Sequence, residues 1–428
     1  MSRTVTLSRA VVALGTLVAV APAGAQSLAA RIAAAPAGEV RMSYATRSGV
    51  CGDGKSVVAF GQTMYMDNTM ESYGRWSGVN CKPGGARVTV RTGASGVEAV
   101  RTRIGGSWES ASGAVTDLGV VSAPAAASYL LDVAEKLPGK AGRYALLAAV
   151  VADSIDINDR LLAIARRSTI ARETRQRAVH WLGELGDASL VAPLTALAQG
   201  DDSEEGVGMA AVYALTRLPG GVGIPTVIDL ARNSRSREIR ERAVFWLGQS
   251  EDPRGRREVR AIAADASAPS GVRAKAVFAL GHGDASTPED FAFLRDLFGK
   301  VDSDDIRNHI LMAMAQSDDA ASRKWLLDVA RDERAPLESR KKAIFWAGQS
   351  DVPVSDIVAV YDAARDEELK EHTIFVLSQR DDKAATDKLL SIVRSKEEPE
   401  LRKKALFWLA QKHDPAITRM ISDMITKQ

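Results

Sequence analysis

Two kinds of hydrophobic pattern divide the chain near residue 124. Between residues 38 and 122, apolar and polar residues alternate in short segments separated by glycines, as expected for half-buried β-strands. These segments include Val40-Met42-Tyr44, Ser56 to Phe60, Val88-Val90 and Val97 to Ile104. Gly93 to Gly96, between the last two, is typical of a hairpin turn. We predict a small antiparallel β domain over residues 38–122, preceded by a linker at residues 26–37.

From about residue 125 the apolar spacing becomes helical and repeats. The segment RQRAVHWLG, which starts at Arg175, recurs as RERAVFWLG from Arg240, RKKAIFWAG from Arg340 and RKKALFWLA from Arg402. With weaker copies, the fourth residue of each segment gives nine anchors, spaced 30 to 34 residues apart: Ala145, Ala178, Ala211, Ala243, Ala276, Ile310, Ala343, Thr373 and Ala405. Another helical segment precedes each anchor helix, so the unit is a first helix, a turn and a second, anchor-bearing helix.

The recurring pattern Arg-x-x-Ala-φ-φ-x-Leu-Gly, where φ is apolar, resembles HEAT repeats in the short form also described as lyase-like HEAT repeats. The resemblance covers about 300 residues. It implies a mainly α fold, a right-handed α-α superhelix of about nine repeats over residues 125–428, preceded by the β-rich domain. Since one helix pair cannot bury its apolar face alone, the repeats are expected to stack and to leave a concave surface. The expected function is non-enzymatic binding of a protein or extended peptide on that surface.

Helical geometry predicts which residues the binding surface carries. Counted from each anchor, positions 0, +1 and +4 face the first helix, whereas positions −1, +2 and +6 face away from it. Cations recur at −1, aromatic residues at +2 and glutamines at +6. The candidate binding residues are Arg242, Lys342 and Lys404 at −1, Phe245, Phe345 and Phe407 at +2, and Gln249, Gln316, Gln349, Gln379 and Gln411 at +6.

Two interpretations of these columns remain open. In the first, the aromatic residues fill gaps between neighbouring helices and the other side chains are solvated. In the second, the glutamine amides pair with a partner's backbone, the aromatic residues contact its side chains and the cations favour acidic groups. Armadillo-type import receptors use aromatic and amide residues similarly. The tryptophans at +3 are expected to pack between repeats, and the cations at −3 to bind carboxylates or carbonyls of neighbouring turns, such as Asp332 or Asp366.

Composition and motifs argue against several function classes. The 428 residues carry a formal net charge of +2, so no overall field attracts nucleic acid. The sequence contains no His-Glu-x-x-His, Gly-x-Ser-x-Gly, Cys-x-x-Cys or phosphate-binding Gly-rich motif. Its single Glu371-His372 pair does not match the repeated His-Glu pairs of the HEAT-like enzyme deoxyhypusine hydroxylase. We therefore expect no catalytic residue, metal or cofactor. The alternative function is an enzyme, or an enzyme regulator, whose active part lies in the β-rich domain.

The two cysteines point to a disulfide. Cys51 and Cys81 are the only cysteines, and both lie in the β-rich segment. In an exported chain a bond between them would stabilise the fold by roughly 3–4 kcal/mol. Two free thiols are the alternative. A metal site at the pair is disfavoured, because no histidine occurs between residues 26 and 124.

The first 25 residues have the pattern of a signal peptide. Arg3 and Arg9 give a basic start, Ala10 to Val20 an apolar stretch too short to span a bilayer, and Ala23-Gly24-Ala25 a small-x-small cleavage pattern before Gln26. No cysteine follows the cleavage position, which argues against a lipid anchor. No later segment has 18 uninterrupted apolar residues. We expect a protein with no membrane span, in the periplasm or secreted.

This pattern predicts that residues Met1 to Ala25 are absent from the mature protein. N-terminal sequencing of protein recovered from the native exported fraction should begin at Gln26. Recovery of protein that still begins at Met1 would contradict cleavage.

Overall fold

The computed structural model describes residues 26–412, apart from residues 61–62, 67–69, 74–80, 112, 201–205, 283–285 and 318. The predicted signal peptide therefore lies outside the described residues. The chain divides into two compact units, one up to Ile157 and one from Asn158. The described residues are mainly α-helical, and their β-strands all lie in the first unit. This confirms the predicted fold class, a β-rich region followed by helical repeats.

The first unit combines short strands with three helices. Its helices are α1 (Leu28–Ala33), α2 (Ala123–Lys136) and α3 (Gly139–Val150). Its strands are β1 (Gly38–Tyr44), β2 (Cys51–Gly52), β3 (Val57–Phe60), β4 (Thr63–Met66), β5 (Met70–Tyr73), β6 (Lys82–Pro83), β7 (Ala86–Gly93), β8 (Gly96–Ile104) and β9 (Val115–Val120). Residues 26–37, predicted as a linker, contain helix α1, which buries Leu28 and Ile32.

Two sheets form the β-rich part. A four-stranded sheet has the order β8-β7-β1-β9, and a five-stranded sheet has the order β5-β4-β3-β2-β6. The predicted hairpin is present, with Gly93 opposite Gly96 at the end of the β7–β8 pair. The pairing is not wholly antiparallel, since β9 runs parallel to β1. The alternation on β1 buries Val40, Met42 and Tyr44 on one face.

The predicted disulfide is present. Cys51, in β2, is bonded to Cys81, just before β6, and their Cα atoms are 5.2 Å apart. The bond joins the two ends of the segment between β2 and β6. These two strands also pair with each other, with Cys51 opposite Pro83. Both cysteines pack against the small cluster of Val57, Ala59 and Met64.

The helix pair α2–α3 belongs to the first unit, although it corresponds to the Ala145 repeat. The Tyr44 hydroxyl donates a 2.6 Å hydrogen bond to the Ala148 carbonyl of α3. Thr46 forms a β-bridge with Ala152 just after α3. These contacts explain why the unit boundary falls after Ile157, instead of near residue 124 where the hydrophobic pattern changes.

The second unit contains eight helix pairs in its described part. Its first helices are α4 (Asn158–Arg166), α6 (Val191–Gln199), α8 (Ile224–Asn233), α10 (Pro253–Ala264), α12 (Pro288–Phe298), α14 (Ala320–Arg331), α16 (Val354–Ala363) and α18 (Lys383–Arg394). Its second helices are α5 (Arg172–Leu185), α7 (Val207–Arg217), α9 (Arg237–Gln249), α11 (Ser270–Gly281), α13 (Asp304–Ala315), α15 (Leu337–Gly348), α17 (Glu367–Ser378) and α19 (Pro399–Gln411).

Each second helix packs on the first helix of its own pair and on the second helices of adjacent pairs. The eight predicted anchors from Ala178 to Ala405 lie in these second helices and are all fully buried. The repeat positions predicted from the sequence to be buried are therefore the positions that are buried in the core. Six of the eight are alanine, whose small side chain permits the two layers of helices to approach each other.

Buried arginines at position −3 join the two layers. Arg175, Arg273 and Arg340 are each less than 10% exposed. Their Nε atoms donate to carbonyl oxygens ten residues earlier, at the ends of the first helices: Ala165 at 2.9 Å, Ala263 at 3.3 Å and Ala330 at 3.2 Å. Helix C-termini leave such carbonyls without a partner inside the helix, so these arginines act as caps.

The −3 column also makes the expected carboxylate contact. Arg340 forms an ion pair with Asp366, as predicted. Asp332, the other predicted partner, lies 3.0 Å from Arg334. The carbonyl bonds and the ion pair together favour a structural role for this column.

Glycines at +5 let neighbouring second helices touch. A methyl group at Gly248 would lie 2.7 Å from the Cβ of Ala279, and one at Gly281 would lie 2.6 Å from the Cβ of Ala313. Both contacted residues occupy +3 of the next repeat. Where +5 instead carries a side chain, as at Thr216, Ala315 and Ser378, the next +3 residue is a tryptophan: Trp246, Trp346 and Trp408. Along the layer of second helices, some interfaces therefore pair a glycine at +5 with a small residue at the next +3, and others pair a larger residue at +5 with a tryptophan at the next +3.

This packing predicts that Gly248→Ala destabilises the second unit. Overpacking costs about 1–3 kcal/mol, which exceeds the gain of up to about 1 kcal/mol in helix propensity. The matched control is Gly299→Ala, where the nearest atom is 3.7 Å away and the backbone is right-handed helical. Urea unfolding should show a lower midpoint for Gly248→Ala only, and equal midpoints would contradict the close contact.

Candidate functional site

The candidate site is the surface formed by positions −1, +2 and +6 of the second helices, which we call the second-helix face. Its aromatic residues make ring contacts from repeat to repeat. His180 stacks on Tyr213 at 5.8 Å between centroids, and Phe245 stacks on Phe278 at 6.4 Å. Phe345 lies 6.4 Å from His372. The +2 side chains thus fill space between helices, as the packing interpretation predicts.

Phe407 differs from the other predicted aromatic residues. Phe245 and Phe345 are half-buried, whereas Phe407 on α19 is 53% exposed. Its ring contacts Trp408 at 5.1 Å. An exposed phenylalanine beside a tryptophan leaves apolar area available to a partner.

The tryptophans at +3 pack between repeats. Trp246 lies 4.5 Å from Tyr213 of the preceding repeat, and Trp408 lies 5.2 Å from Phe375 of its preceding repeat. Trp346 donates a 3.3 Å hydrogen bond to Asn308, also one repeat earlier. These contacts agree with the inter-repeat role expected from the sideways direction of +3.

The glutamines at +6 lie at the C-terminal ends of their helices. Gln316, Gln349, Gln379 and Gln411 are exposed and Gln249 is half-buried. The Gln249 amide donates to the His282 carbonyl at 3.2 Å, and the Gln379 amide donates to the Ser378 hydroxyl at 3.1 Å. Within the described residues, no side-chain hydrogen bond holds the amides of the other three.

Two of the three predicted cations at −1 contact residues on neighbouring helices. Lys404 lies 2.6 Å from Glu371 of the preceding repeat. Arg242 donates to the sulfur of Met209 at 3.5 Å, again one repeat earlier. Lys342 is half-buried on α15. The predicted cations thus bridge adjacent helices in two of three cases.

Two cavities open on the second-helix face, and the same repeat positions build both. The C-terminal cavity, of about 740 Å³, lies among α15, α17 and α19 and is lined by Lys341, Glu368, Glu371, His372, Phe375, Lys403, Lys404, Phe407 and Trp408. The central cavity, of about 450 Å³, lies among α9, α11 and α13 and is lined by Arg237, Glu241, Ser270, Gly271, Ala274, Lys275, Phe278, Asp305, His309 and Met312. Residues at positions −5, −2, −1 and +2 line both cavities, and the two cavities lie three repeats apart along the chain.

The cavities combine a partly aromatic floor with charges of both signs. In the C-terminal cavity, Lys341 contacts Glu368 at 3.4 Å and Lys403 is 70% exposed. In the central cavity, the Lys275 ammonium lies 5.2 Å from the ring centre of Phe278. Such a surface can hold an apolar side chain and pair with polar groups beside it.

The binding residues predicted from the sequence coincide with the cavities only in part. Phe407 and Lys404 lie together in the C-terminal cavity, but none of the predicted glutamines lines either cavity. The charged residues at −5 and −2, such as Glu368 and Lys403, were missed. Their signal was the recurrence of opposite charges at the starts of the second helices.

Two histidines of the face, His180 and His372, have lowered pKa values. Burial, together with the charges of Arg177 and Arg217, lowers the pKa of His180 to about 3. Burial also lowers the pKa of His372, with Lys341 acting in the same direction. No group of three or more His, Cys, Asp or Glu residues suited to a metal occurs in the part of the chain that the structure describes.

The match to a family model lies in the second unit. Residues 224–315 match the family model described as HEAT repeats. The second unit is a HEAT-like solenoid. Comparison with curated proteins finds no match. Within the described residues, no helix combines the length and apolarity needed to cross a membrane.

Solved structures resemble the chain at low identity. Human deoxyhypusine hydroxylase in complex with glycerol is 17% identical, with 59% of this chain and 94% of that chain covered and a TM-score of 0.26. Lipovitellin is 14% identical, with 82% and 42% covered and a TM-score of 0.45. The CpcE–CpcF complex of phycocyanin lyase from Nostoc sp. PCC7120 is 16% identical, with 60% and 96% covered and a TM-score of 0.27. These values carry no statement about function.

The geometry predicts opposite responses for the glutamines and the buried tryptophan. Replacing Gln316, Gln349 and Gln411 together by alanine should lower the free energy of unfolding by less than about 0.5 kcal/mol per residue, since exposed positions tolerate alanine. Trp181→Ala should lower it by about 3–5 kcal/mol, because Trp181 is fully buried. Denaturant unfolding measures both. A large loss in the glutamine variant would show that these side chains support the fold.

Proposed function

We propose that this chain is an exported, non-enzymatic scaffold that binds a protein or an extended peptide on its second-helix face. The observation that carries the proposal is the recurrence of one cavity type at two places along that face. A repeated site suits a partner that makes the same kind of contact at successive points. Solenoids offer such extended surfaces to their partners.

The spacing of the cavities suggests the form of the partner. Neighbouring packed helices lie about 8–10 Å apart, so three repeats separate the cavities by about 24–30 Å. An extended chain rises about 3.3 Å per residue. Two anchoring side chains about seven to nine residues apart would therefore reach both cavities. Such side chains would be apolar, to contact Phe278 in one cavity and Phe407 in the other.

Charge and amide groups supply the remaining contacts of the proposed interface. Lys403 and Lys404 are 70% and 48% exposed in side chain, so an acidic group of the partner can approach them. The exposed amides of Gln316, Gln349 and Gln411 are suited to pair with a partner's backbone. Existing ion pairs, such as Lys404 with Glu371, limit the gain from each new charge contact.

The proposal predicts that crosslinks form from one layer of helices only. A photoreactive residue placed at Lys403, beside the C-terminal cavity, or at Ser270, beside the central cavity, should capture the same partner from the native exported fraction. Matched controls are Lys383 on α18 and Arg257 on α10, both exposed on first helices. Mass spectrometry identifies the products.

Two outcomes would contradict the proposal: equal capture from the control positions, or no capture from either cavity. Once a partner is identified, reversing both Lys403 and Lys404 to glutamate should weaken calorimetric affinity most at low salt, where charge contacts are least screened. Unchanged affinity would show that Lys403 and Lys404 do not contact the partner.

The alternative function, an enzyme or enzyme regulator whose active part lies in residues 38–122, rests on one structural feature. A cavity of about 520 Å³ lies beside Trp108 in the first unit. Its lining has more cations than carboxylates, which fits recognition of an anion more directly than catalysis. Binding of a partner by the second unit does not depend on this cavity.

A further inference from the structure

The outer face of the four-stranded sheet carries five arginines. One face of this sheet is apolar and buried, as shown by Val40, Val88 and Val100. Strand alternation places the arginines on the opposite face. They are Arg41 on β1, Arg87 and Arg91 on β7, and Arg101 and Arg103 on β8.

Two of these arginines oppose each other directly. Arg87 lies opposite Arg103 in the β7–β8 ladder, and like charges in this arrangement destabilise a sheet. Arg87 is only 7% exposed. Its guanidinium donates to the carbonyls of Gly54 at 2.8 Å, Gly105 at 2.7 Å and Ser107. Burial lowers the pKa of Arg87, and the charge of Arg103 lowers it further. The sheet thus holds concentrated positive charge.

A cavity of about 520 Å³, which we call the sheet cavity, lies over this face. Its described lining includes five cations and three carboxylates. Trp108 lies beside them, with its ring centre 5.1 Å from the Arg41 guanidinium carbon and 5.2 Å from that of Arg87. The volume is within the range of small-ligand sites.

The carboxylates of the cavity bind Arg41 and Arg103 more closely than Arg91 and Arg101. Glu39 binds Arg41 at 2.5 Å and Glu109 binds Arg103 at 2.9 Å. Arg91, in contrast, is 67% exposed and lies 3.7 Å from Glu98. Arg101 is exposed, and no carboxylate within the described residues forms an ion pair with it. Arg91 and Arg101 therefore have guanidinium groups available to a ligand.

We propose that the sheet cavity binds a small anion that carries at least two negative charges on carboxylate or phosphate groups. Arg91 and Arg101 contact the anion, because the planar guanidinium matches both kinds of oxyanion. The buried Arg87, which is held by carbonyl oxygens, adds positive potential that favours multivalent over single charges, whereas Arg41 and Arg103 are paired with carboxylates. This site lies in the first unit, and its test does not depend on the scaffold function.

Calorimetric titration of the whole mature chain at low ionic strength tests the proposal. The probes are pyrophosphate, citrate and acetate. Pyrophosphate or citrate should bind at least tenfold more tightly than acetate, and the stronger of the two distinguishes a phosphate from a carboxylate ligand. Affinity should fall as salt is added. If neither probe binds more tightly than acetate, the proposal is wrong.

A double variant, Arg91→Glu with Arg101→Glu, locates the binding. It should weaken binding of the better probe at least tenfold. Lys82→Glu is the matched control, because Lys82 is an exposed cation of the same unit outside the sheet cavity. The control should bind within twofold of the natural chain. The probe should also raise the melting temperature of the control but not of the double variant. Equal binding by the two variants would overturn the assignment.

Discussion

Close contact between neighbouring second helices is the constraint on which the second unit depends. Each of the eight anchors in the second unit is fully buried, and most of them are alanine, which permits the layers of helices to lie close together. At +5, glycine permits the small residue at +3 of the next repeat to approach, as Gly248 does for Ala279. Where +5 has a side chain, a tryptophan at the next +3 occupies the space. These two kinds of interface fix how each repeat packs on the next, and with it the positions of the +2 side chains.

The same contacts decide which parts of the second-helix face remain open. Most +2 rings contact rings of neighbouring helices, so they help to hold the helices together. The space that remains lies nearer the N-terminal halves of the helices, where the two cavities form. Phe407 is left exposed on α19. The packing and binding interpretations of the ladder are therefore compatible, because the rings support cavities whose rims carry the charges.

Arginine has a different role in each unit. In the second unit, buried arginines cap the ends of first helices by donating to carbonyls, and Asp366 balances the charge of Arg340. In the first unit, Arg87 is satisfied in the same way by three carbonyls, but its neighbours on the sheet add charge of the same sign. A carbonyl oxygen accepts a hydrogen bond from the guanidinium group but does not cancel its positive charge. The sheet face consequently keeps an attraction for anions that the helical core does not have.

The sequence by itself determined the repeat, its register and the buried side of each helix, because helical periodicity ties residue spacing directly to direction. It also determined the β7–β8 hairpin and the pairing of Cys51 with Cys81, the only two cysteines. Tertiary structure decided the rest. The α2–α3 pair joined the first unit because Tyr44 and Thr46 bind it, contacts between residues about a hundred positions apart. The parallel β1–β9 pairing and the meeting of arginines from three strands depend likewise on which strands become neighbours. Spacing along one helix could not reveal the cavities either, since three helices supply the walls of each.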